Sequence, residues 1–214
     1  MEAMTKKERT QHILDYFHAQ QPEITTELEF GSTFQLLCAV VLSAQCTDKR
    51  VNLVTPELFR HYPTPQLMAA AEPEDILEYV SSVSYPNAKS LHLSQLARKL
   101  IDDYNGEVPQ DFDSLVSLPG VGRKTANVML AVAFGQAAMP VDTHVFRVSH
   151  RLGLVTKTAD TPEKVERQLV KLIPADLLSR AHHWLLLHGR YICTARKPHC
   201  ERCPIADYCQ NKTL

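Results

Sequence analysis

The sequence predicts an all-α protein, and three observations support this prediction. The chain is rich in leucine and alanine, and only 7 of its 214 residues are glycine, a composition that favours helices over sheets. Apolar residues recur at helical spacing between short gaps. No alternating apolar and polar stretch of useful length indicates a strand. The length is sufficient for one or two small domains with a hydrophobic core.

The first clear helix begins after Ser32 or Thr33, either of which can cap it, and runs through apolar residues towards Ala44. An amphipathic helix is predicted over 87–104, and the Asn-Gly pair that follows is typical of a helix end. The buried face of this helix is expected to carry Leu91, Leu96 and Leu100.

The second half of the chain contains three further helical segments. Residues 115–135 predict a short helix, a tight turn and a second helix. Asp142 precedes a helical run that ends at Gly153. Thr161 followed by Pro162 is typical of an N-cap and the first residue of a helix. The buried stripe of this last helix is expected to include Leu169, Leu172 and Ile173.

Composition and charge exclude some classes of protein. The longest apolar runs, 36–42 and 128–134, are far shorter than the roughly 20 residues of a membrane-spanning helix, so no membrane span is expected. Residues 1–10 mix basic and acidic side chains without an apolar segment, so we expect a cytoplasmic protein. With 23 basic and 24 acidic residues, a net charge of −1 does not by itself indicate nucleic-acid binding. Residues 186–214 hold five basic and two acidic side chains, which allows a basic face.

The turn of the predicted hairpin contains two glycines within three residues, Gly120 and Gly122. Glycine permits positive φ and a close approach to a partner. The N–H groups at the start of the following helix, with its dipole, form an anion site suited to a phosphate. An ordinary corner between two helices is the alternative. In a DNA-binding hairpin, the expected contacts are Leu118, Gly120, Gly122 and Arg123, and they read no base sequence.

Lys124 lies in the first predicted turn of the second hairpin helix, beside Arg123. The neighbouring guanidinium and the positive end of the helix dipole both disfavour an ammonium at this position. They therefore favour the neutral amine that a nucleophile requires. A lysine that only binds phosphate is the alternative.

Asp142 is predicted to cap the helix that follows it. A capping carboxylate is held rigid and ionised, and the same properties allow it to stabilise positive charge on a sugar when an N-glycosidic bond breaks. About one helix and one connection separate Lys124 from Asp142, so the chain can fold back to bring the two side chains together.

Four of the six cysteines lie close together in a C-x6-C-x2-C-x5-C pattern: Cys193, Cys200, Cys203 and Cys209. Disulfides are not expected in a cytoplasmic chain with this spacing, so the pattern indicates a metal site. Zinc sites more often pair two short C-x2–4-C motifs, which modestly favours a [4Fe–4S] cluster over zinc. Cys38 and Cys46 lie in an apolar helical region and are expected to be core thiols.

Three segments resemble a known family. LPGVGRKTAN resembles the helix-hairpin-helix of DNA glycosylases, VDTHVFRV resembles their acidic motif, and HGRYICTARKPHCERCPIADYC resembles the cluster loop of endonuclease III and adenine-mismatch glycosylases. The resemblance to endonuclease III extends over almost the whole chain. It implies a two-lobed helix-hairpin-helix glycosylase fold, in which residues 26–136 form a six-helix domain and residues 1–25 with 137–214 form an iron–sulfur cluster domain.

The resemblance also implies functions for individual residues. Lys124 is implied as the nucleophile that attacks C1′ of the damaged nucleotide, and Asp142 as the essential acid. His144 and Arg147 are interpreted as contacts to the DNA backbone. The four clustered cysteines are implied as ligands of a [4Fe–4S] cluster. The loop between the first two ligands would present Arg196 and Lys197 to DNA phosphates.

An enzyme that acts on a base inside a duplex must extrude it, and the space left in the duplex must be filled. In the family, a glutamine of the LSAQ segment does so, and it corresponds to Gln45. A loop that often reads Gly-Leu-Tyr-Asn supplies an apolar wedge. Here that loop contains Tyr85 in place of leucine, which leaves the preference for the opposite base open.

The function expected from these residues is that of a bifunctional DNA glycosylase and abasic-site lyase. It would act as a monomer on oxidised pyrimidines or abasic sites in double-stranded DNA. One alternative is an adenine-mismatch glycosylase, but that subfamily usually lacks the lysine found here at position 124. A second alternative is a non-catalytic DNA-binding or redox-sensing module.

Overall fold

The computed structural model describes residues 4–211, and within this range it is helical and contains no strand, which confirms the predicted all-α class. Eleven α-helices are described. In chain order they are α1 (Lys6–Gln20), α2 (Thr33–Leu42), α3 (Asp48–His61), α4 (Pro65–Ala69), α5 (Pro73–Val80), α6 (Pro86–Tyr104), α7 (Phe112–Val116), α8 (Arg123–Val128), α9 (Thr143–Leu152), α10 (Pro162–Leu172) and α11 (Leu178–Tyr191). A π-helical turn, Met129–Ala133, continues α8. None of the described helices is both long enough and apolar enough to cross a membrane.

The chain divides into two compact units. The central unit comprises Glu27–Phe134 and contains α2 to α8. The terminal unit combines the residues before Glu27 with those from Gly135 onwards, and it contains α1 and α9 to α11.

Helix α2 lies at the centre of the central unit's core. Ser32 caps it, since its hydroxyl accepts a hydrogen bond from Gln35 N at 3.2 Å. Every residue of α2 from Leu36 to Leu42 is at most 3% exposed, because the helix is covered by α3, α6 and α8. The helix ends at Leu42, two residues before the predicted end at Ala44.

Helix α6 matches its predicted range within one residue and ends at Asn105, which adopts the left-handed conformation. Leu96 and Leu100 are fully buried, as predicted, but Leu91 is 43% exposed and Leu93 is buried in its place. The buried face is shifted because α4 and α5 both pack on this helix. Seven positions before Leu96 on the same face lies Lys89, which is only 5% exposed.

The terminal unit is organised around the contact between α9 and α11. Gly189 of α11 allows a close approach, since a Cβ at this position would lie 2.9 Å from His144 Cβ. Helix α1 is attached to this pair by Trp184, whose indole N–H donates to Gln21 O at 3.0 Å. The predicted helix caps Thr161, Asp142 and Gly153 are all present. In α10, Leu169 is fully buried and Leu172 is half-buried, and Ile173 follows the helix in the core.

The two remaining cysteines have different environments. Cys38 is fully buried in α2, as predicted, and burial raises the pKa of its thiol. Cys46 is only half-buried, so the prediction that it is a core thiol is wrong. The reason is that α2 ends at Leu42, which places Cys46 in the loop before α3.

Candidate active site and cluster centre

The hairpin between α7 and α8 is closed by a tight turn in which Val121 N donates to Leu118 O at 3.1 Å. Leu118 is 2% exposed, so its side chain belongs to the core and only its main chain can meet a partner. Gly120 has a φ of 78°, and a Cβ at this position would lie 3.0 Å from His92 Cβ. Glycine is therefore required here by the fold itself.

Gly122, the N-cap of α8, has a different environment. Its φ of −94° and ψ of 176° are accessible to any residue, and a Cβ here would meet no atom within 4 Å. Nothing in the local backbone or packing thus requires glycine at this position. Glycine leaves open space beside the first N–H groups of α8, which is the arrangement that an approaching phosphate needs.

The first two residues of α8 carry the predicted charges. Arg123 lies over the ring of Phe112 in α7, with its Cζ 4.9 Å from the ring centroid, so a cation–π contact orients the guanidinium. Lys124 is partly exposed in the first helical turn. Both side chains belong to the central unit.

Asp142 caps α9 as predicted. Its Oδ1 accepts hydrogen bonds from His144 N at 2.9 Å and Val145 N at 2.8 Å, and these two main-chain donors fix the orientation of the carboxyl group. The segment that precedes Asp142 is also held in place, because Nδ1 of the buried His182 lies 2.9 Å from Pro140 O. Asp142 belongs to the terminal unit and Lys124 to the central unit, so their approach to one sugar stays a prediction.

The two residues expected to fill the space in the duplex share an unusual backbone conformation. Gln45 and Tyr85 have φ values of 54° and 56°, and both side chains are exposed, Tyr85 by 63%. The hydroxyl of Ser84 donates to Gln45 O at 2.7 Å. The structure therefore brings the two loops into direct contact, which the sequence did not indicate.

The four cysteines of the C-terminal motif line one cavity of about 160 Å³. Among residues 4–211, no three His, Cys, Asp or Glu side chains surround a point that a single metal ion could occupy. Four sulfur donors around one cavity fit an iron–sulfur cluster. Burial raises the pKa of the Cys203 and Cys209 thiols, and the charges of the neighbouring cysteines add to this shift. A bound metal centre stabilises such thiolates.

Two arginines of α9 hold the cluster loop in place. Arg147 donates to Gly189 O at 2.8 Å and, through Nε, to Cys193 O at 3.2 Å. Arg151 donates to Thr194 O at 2.7 Å, and its Nη1 lies 3.4 Å from Cys193 Sγ. The guanidinium of Arg147 joins α9 to the end of α11 and the cluster loop, and its contact with the DNA backbone stays a prediction. It satisfies carbonyls that no helical N–H reaches.

His188 is a further residue near the cluster cavity that the sequence did not single out. It is 6% exposed, and burial lowers its pKa to about 4. Its Nε2 lies 3.7 Å from Cys203 Sγ. A neutral imidazole beside a cysteine ligand is a suitable outer contact to a cluster, since hydrogen bonds to the sulfurs tune such centres.

The predicted basic loop lies between Cys193 and Cys200. Arg196 and Lys197 are exposed there, and the hydroxyl of Thr194 donates to Lys197 O at 2.6 Å, which fixes the turn. His144 is half-buried, and its Nδ1 lies 3.2 Å from Arg147 Nη2. The structure thus displays the two loop cations, whereas His144 and Arg147 contact each other.

Comparison with known proteins identifies the family. The family of HhH-GPD superfamily base excision DNA repair proteins matches residues 38–175, and the iron–sulfur binding domain of endonuclease III matches residues 193–209. Endonuclease III of Rickettsia conorii (strain ATCC VR-613 / Malish 7) is 49% identical, covering 92% of this chain and 93% of the relative. Endonuclease III of Escherichia coli (strain K12) is 44% identical, covering 98% of both chains.

The solved structures agree with this result. A trapped endonuclease III–DNA covalent intermediate, in an estranged-adenine complex, matches with a TM-score of 0.90 at 45% identity and covers 97% of both chains. A thermostable thymine-DNA glycosylase has the same fold, with a TM-score of 0.81 at 24% identity. The chain therefore belongs to the endonuclease III family of HhH-GPD base excision repair proteins, and it is a DNA glycosylase with abasic-site lyase activity that carries a [4Fe–4S] cluster.

Proposed function

We propose that this enzyme removes oxidised pyrimidines from double-stranded DNA through a covalent intermediate on Lys124. The observation that carries the proposal is the position of Lys124 in the first turn of α8, two residues after Gly122, whose open side leaves room for the DNA backbone. Nucleophilic attack by this lysine requires its neutral amine. The covalent endonuclease III–DNA complex of a relative 45% identical to this chain supports the proposal.

In the proposed reaction, the neutral Nζ of Lys124 attacks C1′ of the extruded nucleotide. The N-glycosidic bond breaks, its electron pair leaves with the base, and the base takes up a proton. The sugar ring opens to a Schiff base between Nζ and C1′. Removal of a proton from C2′ then expels the 3′ phosphate by β-elimination, and water releases the lysine.

Asp142 is proposed to stabilise positive charge on the sugar during the first step. Its Oδ1 is held by two main-chain N–H groups, which leaves Oδ2 as the oxygen that would face the substrate. The cluster supplies no chemistry to these steps in this proposal. When bound to Cys193, Cys200, Cys203 and Cys209, it would fold the loop that presents Arg196 and Lys197 to DNA phosphates.

The proposed substrate is duplex DNA, with Gln45 and Tyr85 filling the space left by the extruded nucleotide. The enzyme is proposed to act as a monomer on chromosomal DNA in the cytoplasm. It would use residues from both proposed domains, 26–136 and 1–25 with 137–214. A panel of oxidised and undamaged bases, each paired with all four opposite bases, tests the substrate class through base release and strand cleavage.

Borohydride trapping tests the nucleophile. The wild-type enzyme should form a covalent adduct with DNA that contains an oxidised pyrimidine, and peptide mapping should place the adduct on Lys124. Lys124→Ala should abolish the adduct, whereas the exposed Lys157→Ala should not. A Lys124→Ala variant that still crosslinks would refute the assignment.

Asp142→Asn tests the catalytic function of the Asp142 carboxylate. Asparagine can still accept both N–H groups and cap α9, so the fold and the affinity for DNA should be retained while single-turnover base release slows by about 100-fold or more. An unchanged rate would exclude a catalytic function for this carboxylate.

A further inference from the structure

The central unit contains two loops that each hold one strained residue. The Gln45 loop, residues 43–47, joins α2 to α3, and the Tyr85 loop, residues 81–85, joins α5 to α6. Gln45 and Tyr85 both have φ in the left-handed region, which side chains other than glycine adopt only when the surroundings impose it. These are the only two non-glycine residues with positive φ in residues 4–211 besides Asn105, which ends α6.

Lys89 is hydrogen-bonded to the main chain of both segments. Its ammonium donates to Leu42 O and to Ala44 O, both at 2.7 Å, from a side chain that is 5% exposed. Its main-chain N–H donates to Tyr85 O at 3.1 Å. One residue is thus bonded to the main chain directly before Gln45 and to the main chain of Tyr85 itself.

Ser84 provides the second connection. Its hydroxyl donates to the carbonyl oxygen of Gln45 at 2.7 Å. The peptide groups on both sides of Gln45 therefore accept hydrogen bonds from the neighbouring segment, one from Lys89 and one from Ser84. Such bonds oppose relaxation of the strained backbone.

The end of α2 shows why a lysine is needed. The carbonyl of Val40 accepts the hydroxyl of Ser43 at 2.8 Å, and that of Val41 accepts the N–H of Ala44 at 3.3 Å. Leu42 O, in contrast, accepts from Lys89. A cation at the C-terminus of a helix also interacts favourably with the helix dipole.

A buried ammonium is costly unless hydrogen bonds compensate for the lost water. Burial lowers the pKa of Lys89, and the nearby Cys46 partly offsets this effect. An apolar side chain at this position would fill the space without such a cost. The presence of a charged side chain therefore draws attention to its hydrogen bonds. Its hydrogen bonds go to the loop whose conformation is strained.

We infer that Lys89 and Ser84 are positioning residues that lock the Gln45 and Tyr85 loops into one rigid wedge. This inference rests on the proposed function, in which the two side chains enter the duplex. The two loops then act together: Gln45 and Tyr85 keep a fixed spacing before DNA binds, so the enzyme does not have to order them during extrusion. Lys89 and Ser84 act in this proposal through the main chain of the two loops.

Matched variants of one loop test the inference. Ser84→Ala removes the hydroxyl that crosses to the Gln45 loop, and Ser84→Thr keeps it. Ser81→Ala removes a hydroxyl from the same loop that contacts only Glu78 O, at 3.5 Å. Lys89→Met keeps an unbranched apolar side chain that is one atom shorter, but it removes both hydrogen bonds from the ammonium to the main chain.

Two measurements separate positioning from general loss of structure. The first is the fluorescence of 2-aminopurine placed opposite an abasic-site analogue in duplex DNA, which reports how the wedge contacts the orphaned base. The second is the single-turnover lyase rate for an abasic site opposite each of the four bases. Ser84→Ala removes one hydrogen bond between neutral groups and should lower this rate about tenfold, whereas Lys89→Met removes two bonds donated by an ammonium and should lower it more. The spread of rates among the four opposite bases should shrink in both.

Ser81→Ala and Ser84→Thr should behave as wild type in both measurements. If Ser84→Ala lowers all four rates by the same factor and leaves the fluorescence unchanged, the inference is wrong. It is also wrong if the rates and fluorescence of Ser84→Ala equal those of Ser81→Ala. Ser84→Ala alone decides the question if Lys89→Met does not fold. Failure of the proposed function is recognised separately, because wild-type enzyme would then form no Lys124 adduct, whereas the fluorescence differences between variants would persist.

Discussion

The two glycines of the hairpin turn should differ in how the same substitution affects stability. Gly120→Ala places a side chain in the left-handed region at φ 78° and brings its Cβ to 3.0 Å from His92 Cβ. The left-handed conformation costs about 1–2 kcal/mol, and a contact this short requires His92 to shift. We therefore expect the free energy of unfolding to fall by about 2–3 kcal/mol.

Gly122→Ala should leave stability almost unchanged. The backbone at φ −94° is ordinary for alanine, and the new Cβ meets no atom within 4 Å. Alanine is a poorer N-cap than glycine, by less than about 1 kcal/mol, but it reduces the freedom of the unfolded chain, which stabilises by about 0.4–1 kcal/mol. These two effects offset each other, so the change in unfolding free energy should stay within about 0.5 kcal/mol.

The DNA affinity of Gly122→Ala should nevertheless fall. The added methyl group occupies the open space beside the N-terminus of α8, where we propose that a phosphate approaches. Loss of a hydrogen bond to a charged group costs about 1.5–3 kcal/mol, or roughly 10- to 100-fold in affinity. Urea unfolding and fluorescence anisotropy with abasic-analogue duplex DNA measure the two quantities. A Gly122→Ala enzyme with wild-type affinity would refute the proposed phosphate site, and a Gly120→Ala enzyme of wild-type stability would refute the conformational argument.

Two further predictions concern the terminal unit. Replacing both Arg196 and Lys197 by glutamine should reduce the slope of log affinity against log salt by about 1.8, since each lost phosphate contact contributes about 0.9. The exposed control pair Lys157→Gln and Lys171→Gln makes the same change in charge and should leave the slope unaltered; equal effects of the two pairs would show that only total charge matters. Arg147→Met should leave carbonyls of the cluster loop without donors and lower the unfolding free energy by about 2–4 kcal/mol, with faster loss of the cluster's visible absorption on dilution. Unchanged cluster retention would contradict the bracing function of this guanidinium.

Local features of the structure were accessible from the sequence because the interacting groups are close along the chain. The caps Ser32, Asp142 and Thr161 bond to N–H groups two or three residues away, so residue type and spacing predict them. The cysteine motif is another such case, since its four ligands lie within one short segment around one cavity. The buried face of α6 was less accessible, and Leu91 was misplaced on it because α4 and α5 decide which side is covered.

One signal for Lys89 was present in the sequence. It shares the helical face of Leu93, Leu96 and Leu100, which are all fully buried, and a charged residue on a buried stripe needs a partner. The pattern does not identify that partner, since the carbonyls of Leu42 and Ala44 lie 47 and 45 residues earlier in the chain.

The amino-acid sequence by itself determined the helical class, the helix caps, the hairpin with Lys124 and the set of cysteine ligands, because each depends on residue types at short spacing. Only the tertiary structure decided that Gly120 is required by packing and Gly122 is not. It also decided that Arg147 braces the cluster loop and that Lys89 supports the Gln45 loop. These contacts join segments that are remote in sequence, and they depend on how helices pack rather than on any local pattern.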